Sequence, residues 1–249
     1  MKQSDVNMHL LIVGDSITLG VAEITGDRII SRVKRSYVDH LQEAFPAVRI
    51  TVSADIHRTT ADAANGLDEL VANLRPDIVL LMIGGNDADL NWRRFLATAG
   101  RVCVNVAPIE RYTENMRRIL AHLAAAGVVP IMTDMPSQNI AVRGSYIAQL
   151  CNKDVPAMLQ AAGGQQEADG HVDGYRKAAL AVAEEARVEL IRYGEALSLY
   201  PLEEVIGVDG AHPNDRAHEI IAQMLHPVLV AHAKHPRSRS RSSLTPHNQ

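Results

Sequence analysis

The chain has 249 residues, 47% hydrophobic and 22% charged, which suits one sizeable domain with a buried core. A formal net charge of −4 and 4% aromatic residues exclude an electrostatic or stacking platform for nucleic acid, and no anionic membrane is favoured as partner. Cys103 and Cys151, the only cysteines, stand in no metal-ligand spacing; they read as two buried thiols, and neither a metal nor a disulfide framework is expected.

Residues 1–7 are polar, and the apolar run at 10–13 is too short for a secretion signal or a membrane span. A cytoplasmic location is therefore the expectation. The run at 10–13 reads as a first strand, followed by strands at 50–52, 78–83, 131–133 and 189–191. The fourth is placed at or after Pro130, because a central strand needs the N–H that proline lacks. Helical period appears between them, first in Ala63, Leu67, Leu70 and Leu74, then in Ile109, Tyr112, Met116, Ile119 and Leu123. It returns in Tyr175, Ala178, Val182 and Ala186, and in Ala217, Ile221, Met224 and Val228. Strand and helix alternating at this pitch predict an α/β fold with a five-stranded parallel sheet covered on both faces.

Residues 87–108 and 136–170 break this rhythm and read as long loops walling a pocket at the carboxyl ends of the strands. From about His235 an Arg-Ser pattern replaces apolar periodicity. One domain over 1–234 and a disordered tail over 235–249 are the expectation.

Chemistry-bearing residues gather where strands end. Gly14-Asp15-Ser16 follows the first strand, where a strand-to-helix turn would expose a serine at the top of the sheet. Gly84-Gly85-Asn86-Asp87 follows the third, offering close backbone approach and an amide donor of the kind an oxyanion hole needs. Asp209-Gly210-Ala211-His212 precedes the last helix, and its spacing lets the carboxylate reach Nδ1 of the imidazole. Each cluster alone is ordinary turn or cap chemistry; a plain Gly-Asn turn or a cap at Asn214 would look the same.

Together, in this order, the three motifs resemble those of the SGNH hydrolase superfamily, the GDSL esterases and lipases, from about Leu10 to Leu229. The resemblance implies a flavodoxin-like three-layer α/β/α fold and metal-free hydrolysis of a small-molecule carboxylic ester, thioester or O-acetyl group, without cofactor. It implies Ser16 as nucleophile, His212 as general base, Asp209 as its partner, and Ser16 and Asn86 in the oxyanion hole. A glycine expected after the second strand is replaced: Arg58 stands at that position, with Asp55 the other candidate. The Arg58 N–H then serves as the remaining donor, with its side chain crowding the pocket, offering positive charge to an acidic substrate, or turned to solvent. Asp15, Asp87 and Trp92 are the candidates on the substrate side. Asp15 has a structural role beside the nucleophile, Asp87 braces the loop around Asn86, and Trp92 lines a pocket or packs in the core or rim. A weakened domain that binds ligand without catalysis is the alternative. A nucleotide or flavin module ranks last, because no Gly-x-Gly-x-x-Gly or Walker sequence is present. The oligomeric state is not encoded in any of these patterns.

Overall fold

The structure, a computed structural model, describes residues 8–25, 28–163 and 165–234, with the backbone alone for 165–170. The polar residues 1–7 and the tail expected over 235–249 lie outside the described residues. The strands are β1 (His9–Gly14), β2 (Val21–Thr25), β3 (Arg28–Arg32), β4 (Arg49–Ala54), β5 (Ile78–Met82), β6 (Val129–Thr133) and β7 (Glu189–Ile191). Between them run α1 (Tyr37–Ala44), α2 (Thr60–Leu74), α3 (Gly85–Ala88), α4 (Trp92–Ala97) and α5 (Ile109–Ala125). The chain continues through α6 (Ile140–Cys151), α7 (Val155–Ala161), α8 (Gln165–Ala186), α9 (Tyr193–Leu197), α10 (Leu202–Val205) and α11 (Asp215–Lys234).

Five strands form one parallel sheet in the order β4-β1-β5-β6-β7, while β2 and β3 pair separately as an antiparallel hairpin. Side chains alternate across each strand, so Leu11, Val13, Val79 and Leu81 join a core with α2, α5 and α8. Leu10, Ile12, Ile78 and Leu80 join a second core with α1 and α11. Burial on both faces explains why these strands read as continuous apolar runs rather than alternating ones. β1 lies between β4 and β5, and the chain leaves it first to one side and then to the other. That reversal opens a crevice at the carboxyl end of β1, the usual ligand position in flavodoxin-like sheets.

Pro130 lies inside β6 rather than at its start. Val129 donates to the Asp77 carbonyl at 3.0 Å, so Pro130 faces the other side, where β7 begins only opposite Ile131. No ladder bond is lost there. The hairpin and α1 add to the predicted elements, and 136–170 is largely helical instead of irregular. Asn139 accepts the Val142 N–H at 3.1 Å and starts α6, whose Ile140 packs with Leu90, Phe95, Val155 and Leu159. Cys103 and Cys151 pack against this small cluster, half-buried, and are not joined in a disulfide.

Candidate active site

Ser16 follows β1 directly but enters a tight turn leading into the hairpin, not a helix. The Leu19, Gly20 and Val21 N–H groups donate to the Asp15, Ile17 and Ser16 carbonyls, fixing the serine at 6% exposure. The His212 ring lies beside it, with Nε2 2.9 Å from Ser16 Oγ. Its Nδ1 lies 2.6 Å from Oδ2 of Asp209, which is fully buried. A carboxylate can only accept, so Nδ1 carries the ring proton and the Nε2 lone pair faces the serine hydroxyl.

The other carboxylate oxygen, Oδ1, accepts the Ala211 and His212 N–H groups, each at 3.0 Å. Burial works to raise the Asp209 pKa, but the hydrogen bond and charge of His212, the Arg143 guanidinium and the backbone donor overcome it. The carboxyl is held down at about 2. Arg143 Nη1 donates to Oδ2 at 3.0 Å.

The opposite wall is organised by Asn86. Gly84, at φ 119°, lets the chain turn into α3, and a Cβ there would stand 2.8 Å from the Tyr112 ring. α3 then presents the Asn86 amide, whose Nδ2 donates to the Arg58 carbonyl at 3.0 Å and to Asp15 Oδ2 at 3.3 Å. Asp15 also accepts the Ile17 N–H at 2.9 Å. Burial, opposed by that bond and by His212, pushes its carboxyl up to about 6.

Arg58 lies beside the site with its side chain directed away from the pocket. Its guanidinium donates to the Ser53 carbonyl at 2.8 Å and to the Ser53 hydroxyl at 3.0 Å, and the residue is only 8% exposed. It therefore neither crowds the pocket nor points to solvent. Its N–H is directed at the Asp55 carbonyl over a long 3.4 Å, and its carbonyl is what holds Asn86. His57, at φ 60°, is the side chain this loop gives to the pocket.

Asp87 does not lie on the substrate side, and Trp92 takes the core packing of its two readings. Asp87 is fully buried and accepts the Thr60 N–H and hydroxyl at 2.9 and 2.6 Å, so it braces the start of α2 and does not face a substrate. Trp92 stands edge-on to Phe95, 5.8 Å between ring centres, in the satellite core outside the serine pocket. Asp15 does line that pocket, together with Ile24, Asp89, Gln138 and Arg143. The last four carry no local pattern that marks them, and Arg143 meets an acid 66 residues away. The one available signal was Asn139 as a helix cap, which would have made 140–151 a helix but left its partners unknown. His218 lies apart from the pocket: its Nδ1 accepts the Tyr37 N–H at 3.1 Å, and burial lowers its pKa to about 4.

Hydroxyl, imidazole and buried carboxylate lie in line at hydrogen-bond distances on the carboxyl edge of a parallel sheet, as the activation of a serine hydrolase requires. The chain belongs to the GDSL-like lipase/acylhydrolase family, whose model matches residues 12–220, and it is a serine hydrolase of ester bonds. No curated protein matches the sequence significantly. Solved structures similar to it include a lipase/acylhydrolase from Enterococcus faecalis, 19% identical at TM-score 0.64, covering 90% of this chain and 96% of that one. The psychrotrophic esterase EstA from Pseudoalteromonas sp. is 14% identical at TM-score 0.60 over 90% and 98% of the two chains. A catalytic mutant of the acetylxylan esterase Axe2 from Geobacillus stearothermophilus is 21% identical at TM-score 0.59 over 88% and 93%. At these identities the three structures support the shared fold.

Proposed function

We propose that the chain hydrolyses a small-molecule ester through an acyl-enzyme on Ser16. His212 takes the hydroxyl proton through Nε2 as Oγ attacks the carbonyl carbon, and Asp209 stabilises the imidazolium. The tetrahedral oxyanion is met by the Ser16 N–H and the Asn86 amide. Collapse expels the alcohol or thiol with the proton from His212. Water activated by the same ring then attacks the acyl carbon and frees Ser16. The single observation that carries this reading is the Ser16 Oγ to His212 Nε2 distance of 2.9 Å, backed by a buried Asp209.

An apolar hollow lined by Leu90, Ile140 and Leu159 adjoins the serine pocket, and both share Ala88, Gln138 and Val172. This supports an acyl group directed under α6. Fluorophosphonate labelling and a p-nitrophenyl ester series of increasing acyl length test the reading. Wild type is expected to label once and turn over, and Ser16→Ala to lose labelling and at least about 10⁴-fold in kcat. Full activity in Ser16→Ala would refute the mechanism. Ligand binding without turnover is the second reading, favoured by the prior commitment of the Asn86 amide to Asp15 and Arg58. Labelling with no turnover of any ester would support it.

A further inference from the structure

We infer that Arg143 is a positioning residue of the acid–base pair, whose guanidinium shares the Asp209 oxygen that holds His212 Nδ1 and sets the pH range in which the pair works. This rests on the ester-hydrolase reading above.

The placement is built by backbone contact. The Asn139 N–H donates to the Gly210 carbonyl at 2.8 Å, docking the start of α6 on the acid loop. Gly210 has φ +75°, and a Cβ there would lie 2.4 Å from the Arg143 nitrogen, so helix and loop touch main chain to main chain. One turn into α6, the Arg143 guanidinium reaches Asp209 Oδ2 at 3.0 Å and the Asp209 carbonyl at 3.4 Å, at 9% exposure. The Tyr146 ring lies 5.9 Å from its centre, and the Tyr146 hydroxyl is tied to Glu23 and the Ile24 carbonyl at 3.1 and 3.2 Å. The guanidinium thus sits between the acid loop and the hairpin.

Oδ2 is also the oxygen that holds His212 Nδ1, so one anionic oxygen is shared by a permanent cation and the imidazole. A second positive charge on the ring is opposed by the first, and a guanidinium stays charged at every working pH. The titratable groups around the pair are Asp15 after β1, His57 after β4, Asp89 after α3, Tyr146 on α6 and His218 on α11. Burial raises the Asp89 carboxyl above its ordinary range, and the Arg143 guanidinium opposes that rise from the pocket side.

The test is the pH profile of kcat/KM on a p-nitrophenyl ester for the full chain, Arg143→Gln and Arg143→Lys, each checked by thermal unfolding. In Arg143→Gln the acid limb is expected to move up by roughly half to one pH unit, with plateau kcat down about tenfold and KM within about threefold. Arg143→Lys keeps the charge, so its limb stays with wild type while kcat falls less. An unmoved limb in the Gln variant, or an equal shift in the Lys variant, overturns the inference. If Arg143→Gln does not fold, Arg143→Met, which keeps the aliphatic stem without the charge, decides: its limb should move up, and a limb that stays or falls overturns the inference. A wild type that neither labels nor turns over sinks the hydrolase reading instead, so the two failures are distinguishable.

Discussion

The two walls of the serine pocket are prepared to different degrees. On the Asp209 side the buried carboxylate accepts two backbone N–H groups, the imidazole and Arg143, and every contact points the base at Ser16. On the Asn86 side the amide expected to meet an oxyanion is already held by Asp15 and the Arg58 carbonyl. In the proposed mechanism, activation of the nucleophile is then preorganised in the resting chain, whereas oxyanion stabilisation by Asn86 requires a partner to be exchanged. The bond most readily exchanged is the 3.3 Å contact to Asp15, the longer of the two. Asp15, pushed up to about 6 by burial, loses its charge once the solution turns mildly acidic.

Three substitutions probe that contrast. The largest effect is expected from Asp209→Asn, which keeps the shape but presents an amide to the imidazole and leaves Arg143 without its anion. kcat should fall about 10⁴-fold in single-turnover ester hydrolysis, and a loss below tenfold would show that the acid side is not the organised one. Asn86→Ala should come next, with kcat down about 10²–10³-fold and KM little changed, because the donor matters when the oxyanion forms. A raised KM with kcat unchanged would make Asn86 a ground-state contact. Arg58→Gly should have the smallest effect and the opposite sign. Freed from φ restriction, the position can turn its N–H from Asp55 toward substrate, raising kcat by less than about tenfold. Losing the bonds to Ser53 should lower stability by about 1.5–3 kcal/mol in a urea titration. A kcat that does not rise would place the remaining oxyanion donor elsewhere.

Much of the scaffold was legible in the chain because buried parallel strands and amphipathic helices leave strong local periods. All five sheet strands lie where apolar runs stand, to within two residues at either end. The hairpin and α1 escaped that reading because short elements carry little period; Ser36 does cap α1, accepting the Asp39 N–H at 3.2 Å. Residues 136–170 were misread as irregular because exposed apolar residues of α6, such as Val142 and Leu150, blur its helical period. The site divides in the same way. Ser16 and Asn86 stand in compact motifs after β1 and β5, and Asp209 and His212 in one between α10 and α11, whereas Asp87, placed on the substrate side by proximity in sequence, turns to α2 instead.

By itself the sequence determined the family, the layered fold and the identity of Ser16, Asn86, Asp209 and His212, since these follow from compact motifs and from periodic burial. Only the tertiary structure decided what surrounds them. Arg143 reaches Asp209 because Gly210 lets α6 dock, and Arg58 turns its guanidinium to Ser53 because the β4 end supplies both a carbonyl and a hydroxyl. Such pairings depend on how elements distant in sequence approach, and local patterns do not carry that information.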